Sequence, residues 1–503
     1  LDQDSLDPVF VEENYHAAEA EIDFVGDVYS DLYRWRTFRS GAFRQFNDNS
    51  IEDVWRISRE LFWNYTGTQS EDLGDIGLGF NIPFTRKEVM DFASRMVSLG
   101  VKPRIIGDDL DSFGVKILHS LYQRWRFKNN DKVEKFWELI YGVVNGTVCL
   151  YVGYNNRKKT ESFLKNYDPK EGAYQIDVKE IEYWNDVEVT LVPIEDMYLK
   201  KVYERNIQKQ GKVIRKSQME AADFHLEFQM YPDHVFVEPG NRIAEDSLYF
   251  RLLGGTGITT TNKIEVLRVY DTDGDQFGIV ANGILLNKLG KGGTVKPAPL
   301  PFDHKLMPFV WSISEAVDDK LAYGLPMPYK TRDLHKMANT QFVMLLEREL
   351  RLIDPPILTS DIEAPEFVFG QKKMIPVTDI NAYKEVDIKP AGNDYFTSLN
   401  SVQQLMSTIA QGGVNNVIPS IQPKSAAEVD SANQAKQQAM GVPLLMYYDM
   451  VRQEALLILK TMLQFYTANK FRKDNARIVK ALTVPNMPLS LGGVGDIKIR
   501  FVT

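Results

Sequence analysis

The sequence predicts an α+β fold in which a mixed region of helices and strands is followed by long helices flanking a small strand module. Three observations predict it. First, apolar runs joined by Asp273-Gly274 and Asn282-Gly283 read as a β-meander over residues 264–288, because those dipeptides favour tight hairpin turns. Second, an uninterrupted helical pattern runs from Tyr329 to about Ile353 and stops at Asp354-Pro355-Pro356, since proline cannot continue a helix. Third, a helical pattern over 394–411 places Phe396, Leu399, Val402, Met406 and Ile409 on one face and ends at Gly412-Gly413. After a polar loop, Ser425-Ala-Ala-Glu428 forms a capping box that restarts the helix.

The chain has 503 residues, which exceeds one ordinary core and predicts two or more domains. With 44% hydrophobic and 25% charged residues, its composition is that of a soluble globular protein. No run of about eighteen apolar residues is present, so no membrane span is expected. No secretory signal is visible, and a chain beginning at Leu1 is expected to be a trimmed piece. Cys149 is the single cysteine; it lies in the strand pattern Gly146–Val152, reads as a buried structural thiol, and fits a reducing compartment. The formal net charge is −9. Proteins that clamp nucleic acid usually carry the opposite sign, whereas an acidic wall beside DNA would keep the polymer moving.

Residues 1–25 are polar and acidic and read as an arm. Helical patterns follow at 26–46, 50–66 and 85–99. The first carries Tyr33-Arg-Trp-Arg36, Phe38-Arg39 and Arg44. Such alternation can stack on bases or grip phosphates, but the favoured reading is an amphipathic surface helix with its arginines outward. Residues 111–145 form two helices broken near Asn129-Asn130, followed by a strand at 147–154 and strands over 174–200 that end at Pro193–Tyr198. Ser217-x-x-Glu220 is expected to open a short helix. Asp271-Thr-Asp-Gly-Asp275 is no calcium loop, because the glycine comes too early and Asn282 stands where the closing glutamate belongs. Gly290-Lys-Gly-Gly-Thr294 lacks the full phosphate-loop pattern and reads as a flexible loop. Residues 300–311 return to a core, and Tyr323-Gly-Leu-Pro-Met-Pro328 closes the domain.

The helix 329–353 would be roughly 37 Å long, with a partly apolar stripe of Leu334, Ala338, Gln341 or Phe342, Leu345, Glu349 and Leu352. Residues 357–390 are short strand patterns, too few to hold a core without neighbours. Beyond the capping box the helix is expected to reach Met440 and break at Gly441-Val-Pro443. A further helix, 444–470, repeats Leu444, Tyr448, Val451, Ala455, Leu459, Met462 and Tyr466 in a seven-residue pattern, for which coiled-coil pairing and packing on its own domain weigh equally. The strand pattern 497–502 completes the chain.

Catalytic signatures are missing. The six histidines at 16, 119, 225, 234, 304 and 335 have no metal-ligand spacing, Cys149 has no cysteine partner, and no nucleophile elbow or nucleotide loop occurs. His119 and His335 read as structural. The expectation is a non-enzyme with no cofactor and no metal.

The order of these parts resembles the portal proteins of tailed bacteriophages and related viruses, across roughly residues 85–503. Stretches that carry the resemblance are Asn145–Val152, Pro193–Tyr198, the Asn282-Gly283 hairpin, Pro308–Trp311, Tyr323-Gly324, and above all Gly412–Ser425 with Ala426-Ala-Glu-Val429. The resemblance implies a portal-type fold with an α/β wing, long stem helices, a small α/β clip and a helical crown base. Residues 1–328 would form the wing, 329–353 and 393–411 the stem helices, 354–392 the clip and 412–424 a tunnel loop. Residues 425–470 would be wing or crown helices and 471–503 a C-terminal wing or crown segment. It implies a homo-oligomeric ring, usually of about twelve subunits, at one capsid vertex of the virion and assembled in the host cytoplasm. Double-stranded DNA would pass through the channel. Terminase, head–tail adaptors and the major capsid protein would be partners.

On that reading Gly412, Gly413, Asn415, Asn416, Ser420 and Gln422 would face DNA without gripping it, and Lys424 would add a basic ring. Lys372 and Lys373 would dock partners from the clip. The alternatives are a ring-forming virion or scaffold protein without a DNA channel, and a nucleic-acid-processing enzyme gripping through Tyr33–Arg44.

Overall fold

A computed structural model describes residues 19–64, 82–98, 103–107, 112–129, 131–168, 173–239, 263–290, 295–353, 357–359, 383–385, 393–411, 426–466 and 497–501. The chain divides into two compact units. The first comprises residues 1–56, 93–326 and 442–503; the second comprises 57–92 and 327–441. Residues 57–92, inside the stretch read as wing, thus cluster with the long helices.

The elements run α1 (Glu19–Ser40), β1 (Ala42–Phe43), β2 (Asn49–Ser50), α2 (Ile51–Trp63), α3 (Phe84–Ser98), β3 (Pro103–Gly107), α4 (Ser112–Lys128) and α5 (Asp131–Asn145). There follow β4 (Thr147–Asp168), β5 (Ala173–Val192), β6 (Met197–Leu199), β7 (Lys212–Glu220), α6 (Ala221–Glu227), β8 (Lys263–Asp271), β9 (Gln276–Ala281), β10 (Ile284–Leu285), β11 (Lys288–Leu289), β12 (Lys296–Pro297) and β13 (Phe309–Ile313). The chain ends with α7 (Met327–Lys330), α8 (Arg332–Ile353), β14 (Ile357–Thr359), β15 (Tyr383–Glu385), α9 (Asn393–Gln411), α10 (Ala426–Phe465) and β16 (Ile497–Phe501). The fold is therefore mixed helix and antiparallel sheet, the α+β class.

The first unit is built on a five-stranded antiparallel sheet in the order β10-β9-β8-β7-β6. Alternation along β8 feeds two cores, because successive strand side chains point to opposite faces. Leu267 and Val269 meet Val25, Val28, Leu32 and Trp35 of α1. Ile264 and Val266 meet Phe224 of α6 and Phe228 and Val237 beyond it. Burying each such side chain contributes about 1.5–3 kcal/mol. A second sheet, β13-β4-β5, holds Cys149 and Leu150 fully buried. β16 pairs with β3 as an antiparallel ribbon.

The meander has the expected strands but not both expected turns. Asn282 (φ 43°) and Gly283 (φ 92°) make the left-handed tight turn joining β9 to β10. The β8–β9 connection is a longer loop, because Asp271 pairs with Gln276. Its left-handed residue is Asp275 (φ 48°) rather than Gly274, whose N–H donates to Asp271 Oδ1 at 2.9 Å.

Three further expectations are corrected. Ser217 does not cap a helix: it lies within β7, its hydroxyl donates to the Val266 carbonyl at 3.3 Å, and α6 starts later at Ala221 without a side-chain cap. The sheet ladder outcompetes the local cap. Gly441-Val442-Pro443 does not end a helix either: α10 continues from Ala426 to Phe465, although the boundary between the two units falls at Gly441. Proline removes one N–H and strains one turn, and a forty-residue helix spans that local loss. The helix 329–353 is interrupted once, where the Thr331 hydroxyl turns back to the Met327 carbonyl at 3.1 Å between α7 and α8. The seven-residue pattern after Leu444 packs on its own unit: Val451, Ala455, Leu459 and Met462 are buried, and Phe465 stacks on Tyr154 at 4.5 Å.

Candidate functional site on the paired helices

In the second unit α8 and α9 run antiparallel. Gln341 Nε2 donates to Ser398 Oγ at 3.4 Å, and Ala338, about one turn earlier on α8, packs against Leu399 and Val402. Leu334 and Phe342 of α8 and Phe84 of α3 close this cluster. The seam needs a small residue at Ala338 to bring the helices close, and Ala338 is wholly buried.

His335 and Asn339, one turn apart on α8, tie this helix to the start of α3. The Ile82 N–H donates to Asn339 Oδ1 at 2.7 Å, which fixes the amide orientation and leaves Asn339 Nδ2 as the donor toward His335 Nε2 at 3.1 Å. His335 Nδ1 therefore carries the ring proton toward Thr85 Oγ1 at 3.0 Å. Burial lowers the His335 pKa to about 4, so the ring is neutral at pH 7. The structural reading of this histidine fits that geometry.

The outward surface of the pair is unusual. Met337 and Met344, two turns apart on α8, are 48% and 56% exposed; on α9 Phe396 and Leu405 are 48% and 49% exposed. Phe396 was expected on the packing face and is not there. At 100° per residue it lies about 80° around the helix from Met406, outside the arc of Leu399, Val402, Met406 and Ala410, which are buried. Helix α9 carries one charged residue, Asp394, in its nineteen positions. Its other exposed side chains include Thr397, Ser398, Asn400, Ser401 and Gln404. Ser401 and Thr408 satisfy their hydroxyls on the carbonyls four residues back, at 2.8 Å each. The pair thus presents large apolar side chains, beside a neutral polar surface on α9 and a charged one on α8, where Asp333, Lys336 and Glu349 are exposed. Sequence periodicity marked the seam but missed Met337 and Met344, because a methionine off the main stripe carries no distinctive signal.

The other site residues read from the sequence fall elsewhere. Gly412, Gly413, Asn415, Asn416, Ser420, Gln422 and Lys424 lie outside the described residues, as do Lys372 and Lys373. Of the segment 354–392, the described strands β14 and β15 pair antiparallel, Ile357 opposite Glu385. The Tyr33–Arg44 stretch is split by burial. Arg34 is exposed and pairs with Asp31 at 2.7 Å. Arg39, expected outward, points inward and is 3% exposed, because the end of α1 packs over the Tyr198 ring and Arg39 finds Glu52 and two carbonyls there. Burial pushes the Cys149 thiol pKa up, against a smaller opposing effect of Arg215. Among the described residues no cluster of His, Cys, Asp and Glu side chains is placed to hold a metal, and no helix is long and apolar enough to cross a membrane. A scan against protein-family models finds no match to this chain, and a search of curated proteins finds none.

Proposed function

We propose that the chain is the subunit of a portal-type ring that conducts double-stranded DNA, with α8 and α9 as the stem. The observation that carries this reading is the exposed surface of the helix pair. Exposed methionines at Met337 and Met344 and the exposed Phe396 and Leu405 supply apolar contacts for flanking copies. The nearly charge-free α9 supplies a surface over which phosphates slide without strong attraction or repulsion. A closed ring satisfies both demands, because each copy offers one flank to each neighbour and leaves a third side to the bore. The acidic net charge of −9 agrees with a conduit that does not retain its polymer.

In this reading the ring sits at a capsid vertex, binds terminase and adaptors through residues 354–392, and leaves ATP hydrolysis to the motor. Lys372 and Lys373 dock partners, and the loop 412–424, with Lys424 at its end, meets DNA. Electron microscopy of the purified protein with symmetry classification tests the proposal. The expected result is a closed ring with a bore wide enough to admit a DNA duplex. A monomer, or a ring too narrow for a duplex, overturns it; the narrow ring would favour a scaffold without a channel.

A further inference from the structure

The turn Ile194–Asp196 brings two adjacent carboxylates into the first unit just before β6. The end of α1 is bound to the backbone of this turn. Arg39 Nη1 donates to the carbonyls of Glu195 and Met197, at 2.8 and 3.1 Å. These carbonyls flank Asp196 in the chain, so a movement of Asp196 acts on both bonds. Apolar contact holds the middle of α1 through Val25, Val28 and Leu32. One turn before Arg39, Trp35 Nε1 is buried with no acceptor among the described residues, so the indole adds no hydrogen bond to hold this end of the helix down.

The sheet register identifies what stands around Asp196. Met197 pairs with Arg215 and Tyr198 with Ile214, so the next step of the antiparallel ladder sets Asp196 beside Lys216. Lys216 shares its face of β7 with Ile214, and Glu265 its face of β8 with Leu267; both of those apolar residues pack under α1. Lys216 Nζ lies 3.6 Å from Glu265 Oε2, with 4% and 2% of the two side chains exposed. Arg39 comes from α1 and has Glu52 of α2 as its partner. In the turn itself the Glu195 carboxylate accepts from the Tyr141 hydroxyl of α5 at 3.4 Å. The Asp196 carboxylate makes no ion pair or hydrogen bond among the described residues. Burial, and next the Glu195 carboxylate, raise its pKa to about 7, against the pull of Lys216, Arg39 and Arg215.

We propose that the turn Ile194–Asp196 is a proton-operated latch on the last turn of α1, closed while the Asp196 carboxyl is protonated and loosened when it ionises. Neutral, the carboxyl rests at the sheet edge with no charge to hydrate, and the two carbonyls stay on Arg39. Ionised, it puts a second negative charge beside Glu195 in a setting that hydrates it poorly. Asp196 is only half-buried, so a small rotation of the turn brings the carboxylate into water. That rotation draws the Glu195 and Met197 carbonyls off Arg39, whose guanidinium then keeps Glu52 and the face of Tyr198. The latched form binds a proton that a hydrated carboxyl gives up near its ordinary value of 3.8. The latch is therefore tightest below about pH 4 and weakens progressively as pH rises to about 7. It is independent of the ring reading, since every group in it belongs to one copy.

Hydrogen exchange on the whole chain, read by mass spectrometry and corrected for the intrinsic pH dependence of exchange, tests the latch. Between about pH 5.5 and 7.5, protection of residues 36–40 is expected to fall at least about tenfold, and that of residues 25–32 in the middle of α1 less than about threefold. Asp196→Asn keeps the shape of the side chain without its charge and is expected to leave residues 36–40 equally protected at both pH values. Glu195→Gln keeps an acceptor for Tyr141 but removes the like charge, so the fall is expected to be smaller than in the parent protein. Equal protection at both pH values in the parent protein overturns the proposal, as does an Asp196→Asn variant that loses protection as the parent does. Circular dichroism shows whether each variant is folded. Should Asp196→Asn not fold, Glu195→Gln decides, and an undiminished fall in that variant overturns the proposal.

Discussion

The guanidinium carbon of Arg39 lies 4.5 Å from the centre of the Tyr198 ring and 5.4 Å from that of Trp55. Its donors are spent on Glu52 at 2.8–3.0 Å and on the carbonyls of Glu195 and Met197 at 2.8 and 3.1 Å. Burial by itself would lower the arginine pKa; Tyr198, Tyr323 and Glu52 outweigh it and hold the pKa above the usual value. The side chain pins the end of α1, the start of α2 and the Glu195–Met197 turn to one point. A lysine cannot fork to both a carboxylate and two carbonyls while stacking. Arg39→Lys is expected to cost about 2 kcal/mol and Arg39→Ala about 3–5 kcal/mol, because the latter strands Glu52 and two carbonyls. Urea unfolding followed by tryptophan fluorescence checks this, and a cost below about 0.5 kcal/mol for both would remove the pin.

Lys135 on α5 makes a buried triad within the first unit, joining α5 to the C-terminal part of α10. Its ammonium lies 2.5 Å from Glu138 Oε2 and 2.6 Å from Glu454 Oε2, with all three side chains under 10% exposed. Removing the cation leaves two carboxylates in a dry setting, so Lys135→Met is expected to destabilise by about 3–5 kcal/mol. Replacing all three residues by apolar ones of similar volume is expected to recover most of that loss, since nothing charged then remains to be desolvated. Chemical denaturation of the single and triple variants separates a missing partner from a packing defect.

Local signals in the sequence located most elements, because period and turn chemistry act over a few residues. The break between α4 and α5 and the Asn282-Gly283 turn lie where the residues place them. What stayed hidden depends on partners far along the chain. Ser217 reads as a cap until β8 arrives beside it, and Arg39 reads as a surface arginine until Tyr198 and Glu52 surround it. Gly146 and Gly324 show the same limit. A Cβ on either would collide with the other's carbonyl, and Gly146 sits at φ 75°, so both glycines answer one close backbone approach between stretches nearly two hundred residues apart. Thr147 seals that approach, its hydroxyl accepting from the Gly324 N–H at 3.0 Å. For the site, the apolar seam of α9 was legible as a stripe, whereas the outward methionines and Phe396 were set by where the stripe's arc ends.

His335 makes the second unit sensitive to acid. Its pKa is lowered from an ordinary 6.5 to about 4 by burial, and a second proton on Nε2 would face the Asn339 N–H. The unfolded chain therefore binds a proton that the folded chain refuses between those two values. The stabilisation is fully present above pH 6.5 and is lost as pH falls toward 4. Between pH 7.5 and 4.5 the loss amounts to about 2–3 kcal/mol. His304 in the first unit, also lowered to about 4 by burial and then by Lys460, works in the same direction. The His335→Gln variant isolates the first contribution: its stability, measured by urea unfolding at the two pH values, is expected to fall by about 2 kcal/mol less than that of the parent protein.

Met337 and Met344 decide between a surface that is merely apolar and one that holds copies together. In a lone chain, replacing a half-exposed methionine by glutamate changes stability by no more than about 0.5 kcal/mol. In a ring every substitution recurs at each contact, and a carboxylate buried there without a partner costs several kcal/mol per interface. The pair Met337→Glu, Met344→Glu is therefore expected to sediment as a folded monomer with an unchanged melt, while the parent protein sediments as a large assembly. The companion change Ser401→Ala leaves a small exposed position on α9 and is expected to assemble normally. An assembly that survives both glutamates would place the subunit contact on another face of the stem helices and would leave Phe396 and Leu405 as the next positions to alter.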